Sequence, residues 1–173
     1  TMQAIAAENN LAETAFYVPT EAGFHIRWFT PTVEVNLCGH ATLASAYVLF
    51  FLENYAHDQI NFDSRSGLLN VRKEGDWLVL NFPADQLHKQ LLSPPALLEA
   101  LGEVTPVEIL RGKTDFMAVL ETEEQVRTLQ PDIIVLSTLP ARGVIITAPG
   151  DSVDFVSRFF APQSGIAEDP VTG

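Results

Sequence analysis

Cys38-Gly39-His40-Ala41-Thr42-Leu43-Ala44-Ser45-Ala46-Tyr47-Val48-Leu49-Phe50-Phe51-Leu52 is the stretch whose reading decides the fold. From Ala41 to Leu52 only Thr42 and Ser45 are clearly polar. A helix this apolar all round belongs inside a core rather than on a surface. It is too short to span a bilayer, which takes about 20 apolar residues. At ~1.5 Å per residue it would be about 20 Å long, the size of a core helix. Just upstream, Val33, Val35 and Leu37 alternate with Glu34, Asn36 and Cys38, the period-2 mark of a strand. The sequence therefore predicts a strand that runs into Cys38-Gly39-His40 and turns at once into a buried central helix over 39–53. Gly39 lets the backbone turn and a ligand come close. The free N–H groups of the first helical turn make that corner a ready anion site.

The remaining chain reads as strands and short helices around this corner. Met2, Ile5 and Ala6 sit at helical spacing, giving a helix from Met2 to about Glu8. Strands are expected over Thr14–Val18, Phe24–Trp28, Ile60–Phe62, Gly67–Val71 and Trp77–Phe82, the last two joined by a Lys73-Glu74-Gly75-Asp76 turn. Ser93 is placed to cap a helix with Pro94 and Pro95 in its first turn and Gly102 past its end. Val107–Leu110 and Phe116–Leu120 return to strand rhythm, and Thr122 with Gln125 forms a capping-box pattern. Ile133–Leu136, Gly143–Thr147 and Val153–Phe160 read as extended.

Composition bounds the class. With 173 residues and 47% hydrophobic content there is material for one large or two small cores. A net charge of −12 argues against nucleic acid and anionic membrane surfaces as partners. A small anionic substrate is still permitted, since a helix N-terminus binds one locally. One cysteine forms no intrachain disulfide, so a reducing compartment, the cytoplasm, is expected. Thr1–Phe16 carries two Glu and no basic apolar run, so it does not read as a signal peptide. His25, His57 and His88 share no metal-ligand spacing, so no metal is assigned.

Four motifs now stand in order: Glu8-Asn9-Asn10-Leu11-Ala12-Glu13-Thr14-Ala15-Phe16, Arg27-Trp28-Phe29-Thr30-Pro31, Cys38-Gly39-His40-Ala41-Thr42-Leu43-Ala44, and Glu168-Asp169-Pro170-Val171-Thr172-Gly173. Together they resemble the PhzF-like family of phenazine-biosynthesis proteins, from end to end of the chain. The resemblance implies an α+β fold of the diaminopimelate-epimerase-like type. It has two β-roll domains, each wrapped round a central helix, with the active site in the cleft between them. The domains would fall at 1–86 and 87–173. It implies a homodimer, no cofactor, and a small-molecule carboxylate as substrate. Family members begin with a strand before the position of Thr1 and continue past Gly173 with Ser and Ala. The chain is therefore expected to be a fragment, cut off at its second central helix.

The resemblance also implies roles. Glu8 matches the catalytic acid/base, although alone it reads as a solvated helix-end carboxylate. His40 matches a catalytic-site histidine; at a helix N-terminus its ring is expected to be neutral and to orient Glu8. Asp169, by itself an ordinary turn former, becomes the facing carboxylate from the second domain. Gly39 and Gly173 would supply N–H groups for the substrate carboxylate. Cys38 could be a lowered-pKa thiolate like that of two-thiol racemases. No second cysteine stands at the matching corner, so it reads as a small buried residue. The resulting expectation is a cofactor-independent isomerase moving a proton within a small, cyclic or unsaturated carboxylic acid in biosynthetic metabolism. An amino-acid racemase or epimerase, and a non-catalytic small-molecule binding protein, are the alternatives.

Overall fold

The computed structural model describes residues 1–171, and the chain separates into two compact units, Thr1–Ala84 and the residues from Asp85 onward. Gly173 lies outside the described residues. The architecture is α+β, with a six-stranded mixed sheet in each unit.

In the first unit, helix α1 (Met2–Asn9) leads to strands β1 (Thr14–Thr20), β2 (Gly23–Phe29) and the two-residue β3 (Glu34–Val35). Then come helix α2 (Gly39–Tyr47) and strands β4 (Gln59–Ser64), β5 (Gly67–Glu74) and β6 (Trp77–Asn81). The sheet order is β1-β2-β4-β5-β6, with β3 paired to β2. Neighbours are antiparallel except β2 and β4, which run parallel with Phe24 beside Phe62. Period-2 alternation sends Phe24, Ile26 and Trp28 of β2, Ile60 and Phe62 of β4, and Leu69 and Val71 of β5 to one buried face. Ala41, Ala46, Leu49 and Phe50 join them in one core.

The helix differs from the sequence expectation in two ways. It is not buried all round: Ala44, Tyr47, Phe51 and Leu52 are exposed, while Ala41, Thr42, Ser45, Ala46, Leu49 and Phe50 are buried. The open side is occupied by its own aromatics, with the Tyr47 and Phe51 rings 4.8 Å apart and Lys73 Nζ 4.8 Å from the Phe51 ring centroid. The second difference is a widening to π geometry over Val48–Leu52, where Glu53 N–H donates to Val48 O at 2.9 Å. The buried hydroxyls are satisfied within the helix. Thr42 Oγ1 donates to Cys38 O at 2.6 Å and Ser45 Oγ to Ala41 O at 2.7 Å.

The second unit contains β7 (His88–Lys89), α3 (Pro95–Leu101), β8 (Glu108–Arg111), β9 (Phe116–Val119), α4 (Glu123–Thr128) and α5 (Ile133–Leu136). It continues with β10 (Val144–Pro149), β11 (Phe155–Ala161) and β12 (Ile166–Asp169), in sheet order β12-β11-β10-β9-β8-β7. Leu97 and Leu101 of α3, Val126 of α4 and Leu136 of α5 pack on one face made by Ile109, Phe116, Ala118, Val144, Ile146 and Phe160. The Thr122–Gln125 capping box is present in full. Two local readings are corrected. Pro94, not Ser93, is the N-cap of α3, so the fixed proline φ rather than a side-chain bond starts that helix. Ile133–Leu136 is helical, because the Asp132 carboxylate accepts from the N–H groups of Ile134 and Val135 and overrides the β-branched run.

Candidate active site

The corner at the start of α2 is held by the hairpin before it. Arg27 Nε and Nη2 donate to the two Glu34 oxygens at 2.7 and 2.8 Å, a bidentate pair that locks β3 to β2. Arg65 adds a second contact to Glu34 at 2.8 Å. Buried Thr30 closes the intervening turn, its Oγ1 accepting from Val33 N–H at 3.0 Å. Ser66 Oγ donates to Asn36 O at 2.9 Å. The chain therefore reaches Cys38, the N-cap residue of α2, in a fixed direction.

At Gly39 the structure shows a packing feature rather than a special backbone conformation. Its φ is not in the left-handed region; instead a Cβ there would stand 3.2 Å from Phe82 Cε2, closer than side chains ordinarily pack. The close approach is of a core ring to the backbone.

The carboxylate that meets His40 is Glu13, not Glu8. Asn10 ends α1 in the left-handed conformation at φ 51°, and Asn9 Nδ2 donates to Thr14 Oγ1 at 3.1 Å, folding the chain back on itself. Glu8, before that turn, is exposed. Glu13, after it and just ahead of β1, has a side chain only 8% exposed with Oε2 3.2 Å from His40 Nε2. Both glutamates stand in the same motif. The signal that separates them is position: Glu13 directly precedes a strand of the core sheet, whereas Glu8 ends a short exposed helix.

The 3.2 Å approach misses hydrogen-bond alignment, so Glu13 Oε2 is a buried carboxylate oxygen with a charge beside it but no aligned donor. Cys38 Sγ lies 3.8 Å from His40 Nδ1 and 3.9 Å from Nε2. Contact with Cys38, then with the Glu13 carboxylate, pushes His40 up to about 10, against the burial that would lower it. Burial pushes the Cys38 thiol up as well, opposed in part by His40 and the Ala41 backbone amide. Near neutrality burial thus keeps Cys38 a thiol, and the Cys38 and Glu13 contacts together hold the ring protonated. His40 is an imidazolium here, contrary to the neutral ring expected from the helix dipole alone. A whole carboxylate charge at 3.2 Å outweighs the partial charge of a helix end.

Asp169 closes β12 in the second unit, half-buried, with Oδ1 accepting from Val171 N–H at 3.0 Å. It sits opposite Phe159 in the sheet. Arg158 fixes this strand by donating to Glu168 at 2.7 and 2.8 Å and to the carbonyls of Val126 and Leu129. Among the described residues no helix is long and apolar enough to cross a membrane.

A family model described as phenazine biosynthesis-like protein, PhzC-PhzF, matches residues 1–173. An uncharacterized isomerase of Pseudomonas aeruginosa is 52% identical over 172 residues, covering 99% of this chain and 65% of that protein. The crystal structure of a PhzF-family phenazine biosynthesis protein from Enterococcus faecalis superposes with a TM-score of 0.88 at 47% identity, covering 99% of this chain and 65% of that one. A predicted epimerase from Pseudomonas aeruginosa shares the fold at a TM-score of 0.62 with 20% identity. These similarities identify the fold as diaminopimelate-epimerase-like. The chain spans about two thirds of the length of the relatives it matches, 65% for the first of them.

Proposed function

This chain belongs to the PhzC-PhzF family of phenazine biosynthesis-like proteins, and from that premise we propose that it is part of an isomerase that moves a proton within a small carboxylic acid. The observation that carries this reading is the buried Glu13 carboxylate set against the His40 imidazolium at the N-terminus of α2. The isomerase name of its relative in Pseudomonas aeruginosa supports the reaction class.

The chemistry follows from the charges. Glu13 Oε2 has no aligned donor, so a lone pair is free to take a proton from a substrate carbon. Abstraction leaves a carbanion whose charge spreads onto an adjacent carboxylate or unsaturated system. The His40 imidazolium and the first-turn N–H groups of α2, which have no partner within the helix, are positive groups placed to stabilise that charge. Glu13, now protonated, returns the proton to a different carbon, and no redox change occurs. No group beyond the side chains is needed, which is the sense in which the reaction is cofactor-independent. Glu13 thus takes the role that the motif gave to Glu8. The role of Asp169 stands on its motif and is part of the proposal, as are a cyclic or unsaturated acid as substrate, a homodimer, and a cytoplasmic location.

The test is proton exchange with solvent. Metabolites retained by the full-length protein are identified by mass spectrometry, then incubated with it in deuterium oxide. Deuterium incorporated into the bound acid, and lost in Glu13→Gln, is expected. Retention of a metabolite with no deuterium uptake overturns the isomerase reading in favour of a binding protein.

A further inference from the structure

We propose that Phe82 is the specificity-determining residue of the Glu13–His40 site. Its ring is the apolar wall against which the carbon skeleton of the substrate acid packs, and it selects acids whose carboxylate is carried on a flat, unsaturated ring. The inference rests on the site assigned above and names the class of acid that this site takes.

The observation is the packing at Gly39. A Cβ on Gly39 would stand 3.2 Å from Phe82 Cε2 and 3.7 Å from Phe82 Cζ, with Leu80 Cδ2 at 4.0 Å. Cε2 and Cζ belong to the outer end of the ring, so the tip of Phe82 points at the backbone that opens α2. Gly39 is the first residue of that helix, whose first-turn N–H groups have no partner within it. His40 follows directly, and its Nε2 lies 3.2 Å from Glu13 Oε2. An aromatic ring and an anion-binding corner therefore stand side by side, and the absence of a side chain on Gly39 is what lets them approach this closely.

The wall is anchored from below and open above. Val71, opposite Leu80 in the sheet, is fully buried. Leu80 and Phe82 pack on the same core, yet both are only partly buried. Gly39 and His40 are partly exposed as well. A corner of this kind matches a molecule with a carboxylate at one end and an apolar skeleton at the other. A flat unsaturated skeleton gains more on an aromatic ring than a puckered one of similar area, because ring pairs add to what area burial supplies. The same unsaturation spreads the charge left when Glu13 takes a proton from carbon.

The test titrates the isotope-labelled full-length protein with benzoate, cyclohexanecarboxylate and acetate, read at the amide resonances of Gly39 and His40. All three are expected to shift these amides. Benzoate should bind at least about tenfold more tightly than acetate, and more tightly than cyclohexanecarboxylate. Phe82→Leu keeps apolar bulk and removes the flat ring. It should bring benzoate down to the affinity of cyclohexanecarboxylate and leave acetate unchanged, which also shows the corner to be intact. A benzoate preference that survives in Phe82→Leu would overturn the proposal. So would equal affinity of the native protein for benzoate and cyclohexanecarboxylate, or no shift of these amides with benzoate, and both results stand even where the variant fails to fold. No deuterium exchange enters these readouts, so failure of the isomerase reading and failure of this one are separate results.

Discussion

Glu13 Oε2 lies 3.2 Å from His40 Nε2, joining a residue just ahead of the first strand to the second residue of the central helix. Together with Cys38 Sγ, 3.8 Å from His40 Nδ1, this contact pushes the ring up to about 10, and it stays protonated at neutral pH.

Glu13→Gln keeps the shape and removes the charge. His40 is then expected to fall below its present value of about 10, read as a shift of its imidazole resonances in an NMR titration. Deuterium exchange into the substrate should drop by about 10²-fold or more. Glu8→Gln, on the exposed end of α1, should leave both readouts within a factor of about two. An unmoved histidine in Glu13→Gln would mean that the ion pair does not set its charge.

The same pair makes stability depend on pH. His40 is raised in the folded state from 6.5 to about 10, so between those values the native protein binds more protons than the unfolded chain. Stability from this group is therefore complete below pH 6.5 and is lost as pH rises through about 10. The raised Cys38 thiol acts in the same direction. Urea unfolding midpoints should fall from pH 7 towards 10, and the fall should be shallower in Glu13→Gln.

Leu49, 1% exposed in the first core, tests the central helix. Leu49→Ala should cost ~2–5 kcal/mol through lost burial and a cavity. Leu52→Ala, on the open side at 67% exposure, should cost less than ~1 kcal/mol. Equal losses in urea titrations would contradict the one-sided burial of this helix.

Arg158 tests the strand that carries Asp169. It donates to two carbonyls and both Glu168 oxygens. Arg158→Lys retains the charge but not the fork, and should destabilise by ~1–3 kcal/mol. Faster amide hydrogen exchange at residues 166–169 should accompany that loss.

The sequence by itself determined the family, the α+β class and the strand-to-helix corner, because each is carried by local signals. Alternating Phe24, Ile26 and Trp28 define a sheet face, and Thr122 with Gln125 opens a helix through bonds spanning three residues. What the sequence misassigned are the features set by distant neighbours. Ile133–Leu136 has strand composition, yet one capping carboxylate from Asp132 made it a helix. Apolar content alone put all of 39–53 inside, whereas a sheet covers a helix from one side, leaving Tyr47 and Phe51 to shield each other. Glu8 and Glu13 are equally acidic and five residues apart, so no local rule chooses between them. The left-handed Asn10 and the register of β1 against β2 turn Glu13 inward and leave Glu8 in solvent. Only tertiary structure decided which carboxylate meets His40, and with it the charge on the ring, because a Coulomb interaction depends on the folded distance and not on separation along the chain.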